Sequence, residues 1–326
     1  EKQEALRKLV CKIKEKGKNK KYDCIIGLSG GVDSSYVAML VKELGLRPLA
    51  VHLDNGWNSE LSVQNIENIC KTLNIDLYTH VIDWEEFKDL QLAFLKASTP
   101  DSEIPSDHAI ASLMFLMAEK YRVKYIIGGT NLASESILPS AWSQGHSDWK
   151  YIKALSKKFG TLRLSTYPHR SFLKILLDRF RFTWVSILDY YDYDKERAKK
   201  IIEKEVGWRN YGRKHGESNY TKIFQEYILP TKFGYDKRRA HLSSLIVAGQ
   251  LSREDALRQL EEPLYPNKAK QEEDINYLCN KFGISHEEFD GIMNAEPKNM
   301  FDYPNTQSSW YYRFARAFYR LIKGRR

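Results

Sequence analysis

The stretch Ser29-Gly30-Gly31-Val32-Asp33-Ser34-Ser35, SGGVDSS, decides how this chain folds. It follows the apolar run YDCIIGL (22–28) and precedes the helical pattern YVAMLVKELG (36–45). A strand, a two-glycine turn and a helix in that order form an anion cradle. The turn exposes backbone N–H groups, and the positive end of the helix dipole adds to their field. The hydroxyls of Ser29, Ser34 and Ser35 supply further donors. The loop lacks a lysine, so it is expected to hold phosphate through dipoles and a divalent cation. Serine and aspartate also cap ordinary helices, but the order of the three elements favours the cradle.

Outward from this loop, short apolar runs alternate with helical patterns. PLAVHL (48–53), IDLYTHVI (75–82) and KYIIGG (124–129) read as strands, with helices at 34–45, 60–73 and 108–121. Near-continuous apolar strands separated by helices indicate βαβ units, and so an α/β fold with a parallel sheet covered on both faces. Right-handed crossovers put the loops after the strands on one edge. Ligand chemistry is therefore expected at Ser29–Ser35, Asp54–Gly56 and Gly128–Ser136. Residues 2–16 read as an amphipathic helix. One more strand-like run, TWVSILDYYDY (183–193), is followed by mostly helical patterns at 194–206, 218–228, 237–248, 252–260, 270–281, 285–294 and 309–323.

Bulk properties narrow the class. The 326 residues are 42% apolar and 29% charged, as in a globular protein. No apolar run approaches the ~20 residues of a membrane span, so no membrane partner is expected and the location read is cytoplasmic. Cys11, Cys24, Cys70 and Cys279 are scattered, without the spacing of a disulfide framework or zinc site. The net charge of +9 suits an anionic partner such as a nucleotide, an acidic sugar or RNA, and equally a solvated basic face.

Several polar residues lie where ligand contact is expected. Lys237, Arg238 and Arg239 crowd a helix start, where the dipole disfavours cations unless Asp236 or a bound anion offsets them. Arg238 and His241 share a face at i, i+3, and with Lys232 and Lys237 they form a candidate clamp for pyrophosphate or an anionic substrate. Asp107 opens a helix after EIPS, as a cap or as a carboxylate facing the cleft. Gly128, Gly129 and Thr130 allow close backbone approach to a ligand, while Asn131, Ser134 and Glu135 offer polar contacts, Glu135 to an amide or ammonia. His215 and Glu217 read as a polar substrate pair or as a turn before a helix cap. In AWSQGHSDW (141–149), His146 is a candidate for a sugar site, whereas Trp142 and Trp149 read as packing residues.

SGGVDSS is similar to the PP-loop of the N-type ATP pyrophosphatases, and AVHLDNG (50–56) resembles the second strand of that superfamily. The resemblance implies a Rossmann-like, adenine nucleotide alpha hydrolase-like sheet that cleaves ATP between its α and β phosphates. It implies ATP contacts at Leu28, Ser29, Gly30, Gly31, Asp33, Ser34, Ser35, His52, Leu53, Asp54, Gly128, Gly129 and Thr130. Asp33 and Asp107 become candidate Mg²⁺ ligands, and Asp33, Asp107, Glu135, Arg238 and His241 the catalytic candidates. Three further stretches, IPSDHAIAS (104–112), GGTNLASES (128–136) and the long block HGESNYTKIFQEYILPTKFGYDKRRAHLSSLIVAGQLSREDAL (215–257), resemble the N-acetyl sugar amidotransferase family, the WbpG/PseA-like proteins.

That resemblance implies conversion of an acetamido group on an N-acetylated sugar to an acetamidino group. Asn131, Ser134, Glu135, His215, Glu217, Lys232, Lys237 and Arg238 are then the substrate candidates. Ammonia is expected from a HisH-like glutaminase working with a HisF-like channelling partner. The implied organisation is an N-terminal helix (1–21), a PP-loop ATP-binding domain (22–150) and a mostly helical region (151–326) packed on it. Two other readings stand beside this one: a tRNA-modifying member of the superfamily, and a nucleotide-binding regulatory module. Nucleic acid is the less favoured partner; the scattered cysteines argue against a sulfur-inserting enzyme, though not against a lysidine-forming one.

Overall fold

The computed structural model describes residues 1–211 and 216–310 together with Tyr312 and Phe314. Helix α1 (Lys2–Gly17) buries Leu6, Val10 and Ile13, an i, i+4, i+7 stripe. Then β1 (Cys24–Gly27), α2 (Val32–Glu43), β2 (Pro48–Asp54), α3 (Glu60–Leu73) and β3 (Asp76–Val81) follow in alternation. Helices α4 (Trp84–Lys96) and α5 (Ile104–Lys120) lead to β4 (Tyr125–Gly128). After α6 (Leu132–Glu135), α7 (Trp149–Phe159) and α8 (Phe172–Arg181), the chain returns to the sheet as β5 (Thr183–Ser186).

The five strands lie in the order β3-β2-β1-β4-β5, and every pairing is parallel. Strands β1, β2 and β4 are almost wholly buried, as a doubly covered parallel sheet requires. The strand order reverses between β1 and β4, and such a switch point opens a crevice at the carboxyl ends of the strands. SGGVDSS leaves β1 into this crevice.

One apolar core, including Ile13, Val37, Val41, Ile66, Ile202 and Trp208, gathers α1, α2, α3 and α9 (Lys195–Val206) on one face. The other face carries α4, α5 and α7 together with α10 (Asn219–Ile223), α13 (Lys268–Phe282) and α14 (His286–Asn294), while α11 (Lys237–Val247) packs on α6 and on α12 (Arg253–Glu261). There Phe87, Phe94, Leu113, Tyr151, Tyr220, Phe224, Phe282 and Phe289 form one continuous cluster. Among the described residues, no helix is long and apolar enough to cross a membrane.

Several elements differ from the sequence expectation. Helices α4, α7 and α8 were not anticipated, although Asp83, Asp148 and Ser171 cap them. The run 183–193 supplies only four strand residues before a 3₁₀ turn at Ile187–Tyr190, and it completes the sheet from beyond residue 150. The helix expected at 218–228 is α10 continued by a π-helical segment, Phe224–Phe233. Pro230 lies in that segment, where its missing N–H disfavours regular α-helical bonding.

The loop between α7 and α8 is fastened by two carboxylates of α4. Glu86 accepts hydrogen bonds from Ser165 N (2.8 Å), Ser165 Oγ (2.7 Å), Thr166 N (2.9 Å) and Tyr167 N (2.7 Å). Asp89 accepts from Thr161 N (2.9 Å), Thr161 Oγ1 (2.9 Å) and Leu162 N (3.0 Å). Burial alone raises the Glu86 carboxyl, but these donors outweigh it and hold the pKa below its ordinary value. A lowered folded-state pKa stabilises the fold above the unfolded value and is lost as pH falls through the folded one. Glu86→Gln is expected to cost about 1–3 kcal/mol at neutral pH. In thermal melts, the gap between wild type and variant should narrow under acid.

Candidate active site

Gly30 turns the phosphate loop with φ +78°, and a Cβ there would lie 2.4 Å from the Ser62 carbonyl oxygen. Only glycine fits both the conformation and the space. The Gly30 carbonyl accepts Trp208 Nε1 at 2.8 Å. Ser29 and Ser34 meet through their hydroxyls at 3.1 Å, and Ser34 Oγ also donates to Gly31 O at 3.1 Å. Helix α2 begins at Val32, and its N-cap Gly31 supplies no side-chain cap. Its first amides therefore stand at the loop as donors. Asp33, in the first turn, accepts from the Tyr193 hydroxyl and lies 3.7 Å from Lys195 Nζ. Leu28 is buried in the sheet core. Ser35 is fully buried, with no hydrogen-bond partner for Oγ among the described residues, so it lines the inside of α2 rather than an open cradle.

The neighbouring strand ends shape the crevice. His52 Nδ1 donates to Leu28 O (3.0 Å), which leaves Nε2 to accept from Asn58 Nδ2 (3.2 Å). Burial lowers its pKa, and the neutral ring holds β1 and β2 together. Leu53 is buried in the core. Asp54 Oδ1 accepts Gly56 N at 2.9 Å and Asn58 Nδ2 at 3.2 Å, which closes the turn after β2.

Past β4, Gly129 lets two backbones meet: a Cβ there would lie 3.2 Å from Asp33 and from Ser34 N. Gly128 faces the Trp184 indole, with 2.8 Å left for a Cβ. The close approach at both glycines is thus to protein. Thr130 Oγ1 and Ser186 Oγ lie 3.0 Å apart. Asn131 and Ser134 are buried: Asn131 Oδ1 caps α6 by accepting Ser134 N (2.9 Å) and Ser134 Oγ (3.0 Å). Glu135 is exposed at the end of α6, beside Tyr193.

A second polar cluster sits where α5 and α11 begin. His146 Nε2 lies 3.0 Å from Asp101 Oδ2 and 3.6 Å from Asp107 Oδ2, with Ser143 Oγ at 2.9 Å. Lys237 Nζ pairs with Glu103 Oε2 at 3.0 Å, which also accepts Gln225 Nε2 at 2.9 Å. Asn55 Nδ2 donates to Ser106 Oγ at 3.0 Å, tying this helix start to the loop after β2. Burial lowers the Lys237 pKa, but Glu103 and Asp101 outweigh it and raise it to about 12. The Asp107 carboxyl is pushed up to about 7, first by desolvation and then by Glu103 and Asp101, against the pull of His146. Its side chain still keeps 52% of its surface open, so water screens part of the effect.

Comparison with known proteins names these parts. Residues 217–318 match the model "LPS biosynthesis protein WbpG-like, C-terminal domain", and residues 4–163 match "NAD synthase". The chain is a PP-loop protein with a WbpG-like C-terminal domain. An uncharacterised protein of Methanocaldococcus jannaschii is 24% identical over 260 residues, 77% of each chain. A tRNA(Ile)-lysidine synthase of Chlamydia pneumoniae is 36% identical over 71 residues, 21% of this chain and 22% of the relative. Among solved structures, an NH3-dependent NAD synthetase of Campylobacter jejuni is similar at 18% identity. It covers 81% of this chain and 98% of its own, with a TM-score of 0.37.

The WbpG-like domain departs from the expected cation clamp. Arg238 grips the Asp236 carboxylate (2.8 and 3.1 Å) and donates to the Gln259 and Glu262 carbonyls (3.2 and 2.8 Å), capping the end of α12. Lys232 Nζ donates to Ile292 O at the end of α14, and burial lowers its pKa to about 8. His241 Nδ1 lies 3.1 Å from Ser134 O and joins α11 to α6, away from the direction of Arg238. Of the proposed clamp, Lys237 alone meets the charged cluster with Asp107. Glu217 reaches the phosphate loop instead, and His215 lies outside the described residues.

Asp33 and Asp107 belong to different clusters. Among the described residues, no group of three or more His, Cys, Asp or Glu side chains forms a metal cage. Mg²⁺ on ATP commonly uses one or two protein carboxylates with phosphate and water, and Asp33 beside the loop suits that donor set. Trp208 and Tyr211 went unremarked in the sequence because they lie about 180 residues from the loop they touch. Trp149 stacks on His169 at 4.0 Å between ring centres, as expected of a packing residue.

A raised carboxyl pKa favours the protonated group in the folded state, so its ionisation opposes folding as pH rises from the unfolded value through the folded one. Asp107→Asn should therefore gain thermal stability relative to wild type as pH increases from about 4 to about 8. A gain that shrinks with pH would contradict this charge assignment.

Proposed function

We propose that this protein is an ATP-dependent amidotransferase that converts the acetamido group of an N-acetylated sugar to an acetamidino group. The observation that carries the reading is the seating of the WbpG-like domain on the PP-loop crevice. Its first residues join the strand-end loop: Ser59 N donates to Glu217 O (2.9 Å), Asn219 N donates to Trp57 O (3.0 Å), and Asn58 bridges Ser218. A domain held there is in position to present an acceptor to a nucleotide on the loop.

The chemistry explains why ATP is opened at its α phosphate. An amide carbon is a poor electrophile, and its oxygen is a poor leaving group. Attack of the amide oxygen on the α phosphorus forms a P–O bond, breaks the α–β bridge and releases pyrophosphate, giving an O-adenylyl imidate. Ammonia then adds to the carbon, AMP departs with the oxygen, and loss of a proton leaves the amidine. The loop amides and Ser29 and Ser34 would hold the pyrophosphate, and Asp33 the Mg²⁺ that neutralises it. Positioning and electrostatics supply most of the rate in such a step. Asp107, with its raised pKa, suits proton transfer near neutral pH beside His146 and Lys237, and Glu135 lies at the crevice edge for the amide or ammonia. Ammonia would come from a HisH-like glutaminase through a HisF-like partner, in bacterial surface-glycan synthesis in the cytoplasm.

Incubation with ATP, Mg²⁺, ammonia and N-acetylated nucleotide sugars is expected to yield AMP, pyrophosphate and a product in which NH replaces O by mass. Asp33→Ala should lower that turnover by a factor of about 10² or more. Formation of ADP instead of AMP would sink the reading. The local likeness to tRNA(Ile)-lysidine synthase and to a tRNA-specific 2-thiouridylase of Fusobacterium nucleatum (26% over 112 residues, 32% of each chain) favours tRNA modification as the second reading. Salt-sensitive tRNA binding with tRNA-dependent AMP release would select it.

A further inference from the structure

Beside Ser29 Oγ, two oxygens at the Gly31 turn come from far along the chain. A Cβ on Gly31 would lie 3.4 Å from the Tyr211 hydroxyl and 3.5 Å from Glu217 Oε1. The Tyr211 hydroxyl lies beside the Val32 amide and the Glu217 carboxylate. Val32 is the first residue of α2, and its amide is one of those that a phosphate at this helix start would take. A carboxylate and a phenol therefore sit together at the turn where a phosphate would take these amides.

The pair is anchored on both sides. Trp208 Nε1 holds the Gly30 carbonyl, and Arg209 exchanges hydrogen bonds with Asn65, its N to Oδ1 at 2.8 Å and its O from Nδ2 at 2.9 Å. The Glu217 carbonyl is fixed by Ser59 N, and the Tyr211 ring packs edge-on against Trp208 at 5.4 Å. Burial, then Glu217, raises the Tyr211 pKa, so its hydroxyl stays protonated. A Glu217 carboxylate and a nucleotide phosphate cannot share the loop without strong like-charge repulsion.

We propose that Tyr211 and Glu217 form an internal stand-in for pyrophosphate, which ATP displaces on binding. The pair lowers the affinity of the empty site for nucleotide. It also couples arrival of ATP to Glu217, the first residue matched to the WbpG-like domain. This inference rests on the loop being the pyrophosphate site, and it is independent of which acceptor is adenylated.

The test is calorimetric titration of full-length wild type, Tyr211→Phe and Glu217→Gln with Mg²⁺-pyrophosphate and with Mg²⁺ and α,β-methylene-ATP. Each variant is expected to bind about 3- to 10-fold more tightly, the factor of one lost competing hydrogen bond. The double variant should gain less than the product of the singles, because the two residues act as one unit. Tighter binding cannot arise from damaged folding. Equal or weaker binding by the variants, with wild-type binding intact, would overturn the stand-in alone. Absence of binding by wild type and both variants would overturn the phosphate site and this inference with it.

Discussion

The crevice depends on a close meeting of backbones around the start of α2. Gly30 lies against the Ser62 carbonyl from one side, and Gly129 lies against Asp33 and Ser34 from the other. A side chain at either position would separate the β1 loop from its neighbours and turn the first amides of α2 away from the strand ends. The sheet order supplies the place, since the strand order reverses beside β1. The two contacts supply the geometry. The Trp208 indole, bonded to Gly30 O, adds a clamp from the C-terminal half of the chain.

Charges around this centre fall into two kinds. Some fasten helices: Arg238 on the end of α12, Lys232 on the end of α14 and Glu86 on the loop before α8. Cations at helix C-termini meet the negative end of the dipole, so Arg238 and Lys232 tie the C-terminal helices to one another. Others face one another in the cleft. Asp101, Glu103 and Asp107 carry more negative charge than Lys237 and His146 balance, and desolvation raises the pKa of Asp101 and Asp107. Burial with imperfect pairing is how carboxyl groups acquire pKa values suited to proton transfer.

The sequence was most readable where a local rule sufficed. Four strands, the parallel arrangement and the phosphate loop follow from apolar runs and from SGGVDSS, and the observed β1, β2, β3 and β4 lie within a residue or two of those runs. Capped helices such as α4 are less legible, although Asp83 marks the start. Side-chain direction was the least legible quantity. Arg238 and His241 share spacing on α11, yet one reaches α12 and the other α6. Asn131 and Ser134 lie in a promising motif, yet they cap their own short helix. Tertiary partners decide such outcomes, and helical spacing alone does not contain them.

The most direct measurement follows the oxygen atom. An N-acetylated nucleotide sugar carrying oxygen-18 in its acetamido carbonyl, incubated with ATP, Mg²⁺ and ammonia, is examined by mass spectrometry of the nucleotide products. Adenylation of the amide oxygen predicts that the label appears in AMP, none of it in pyrophosphate. Label retained in the sugar while ATP is cleaved, or released into inorganic phosphate, would contradict it.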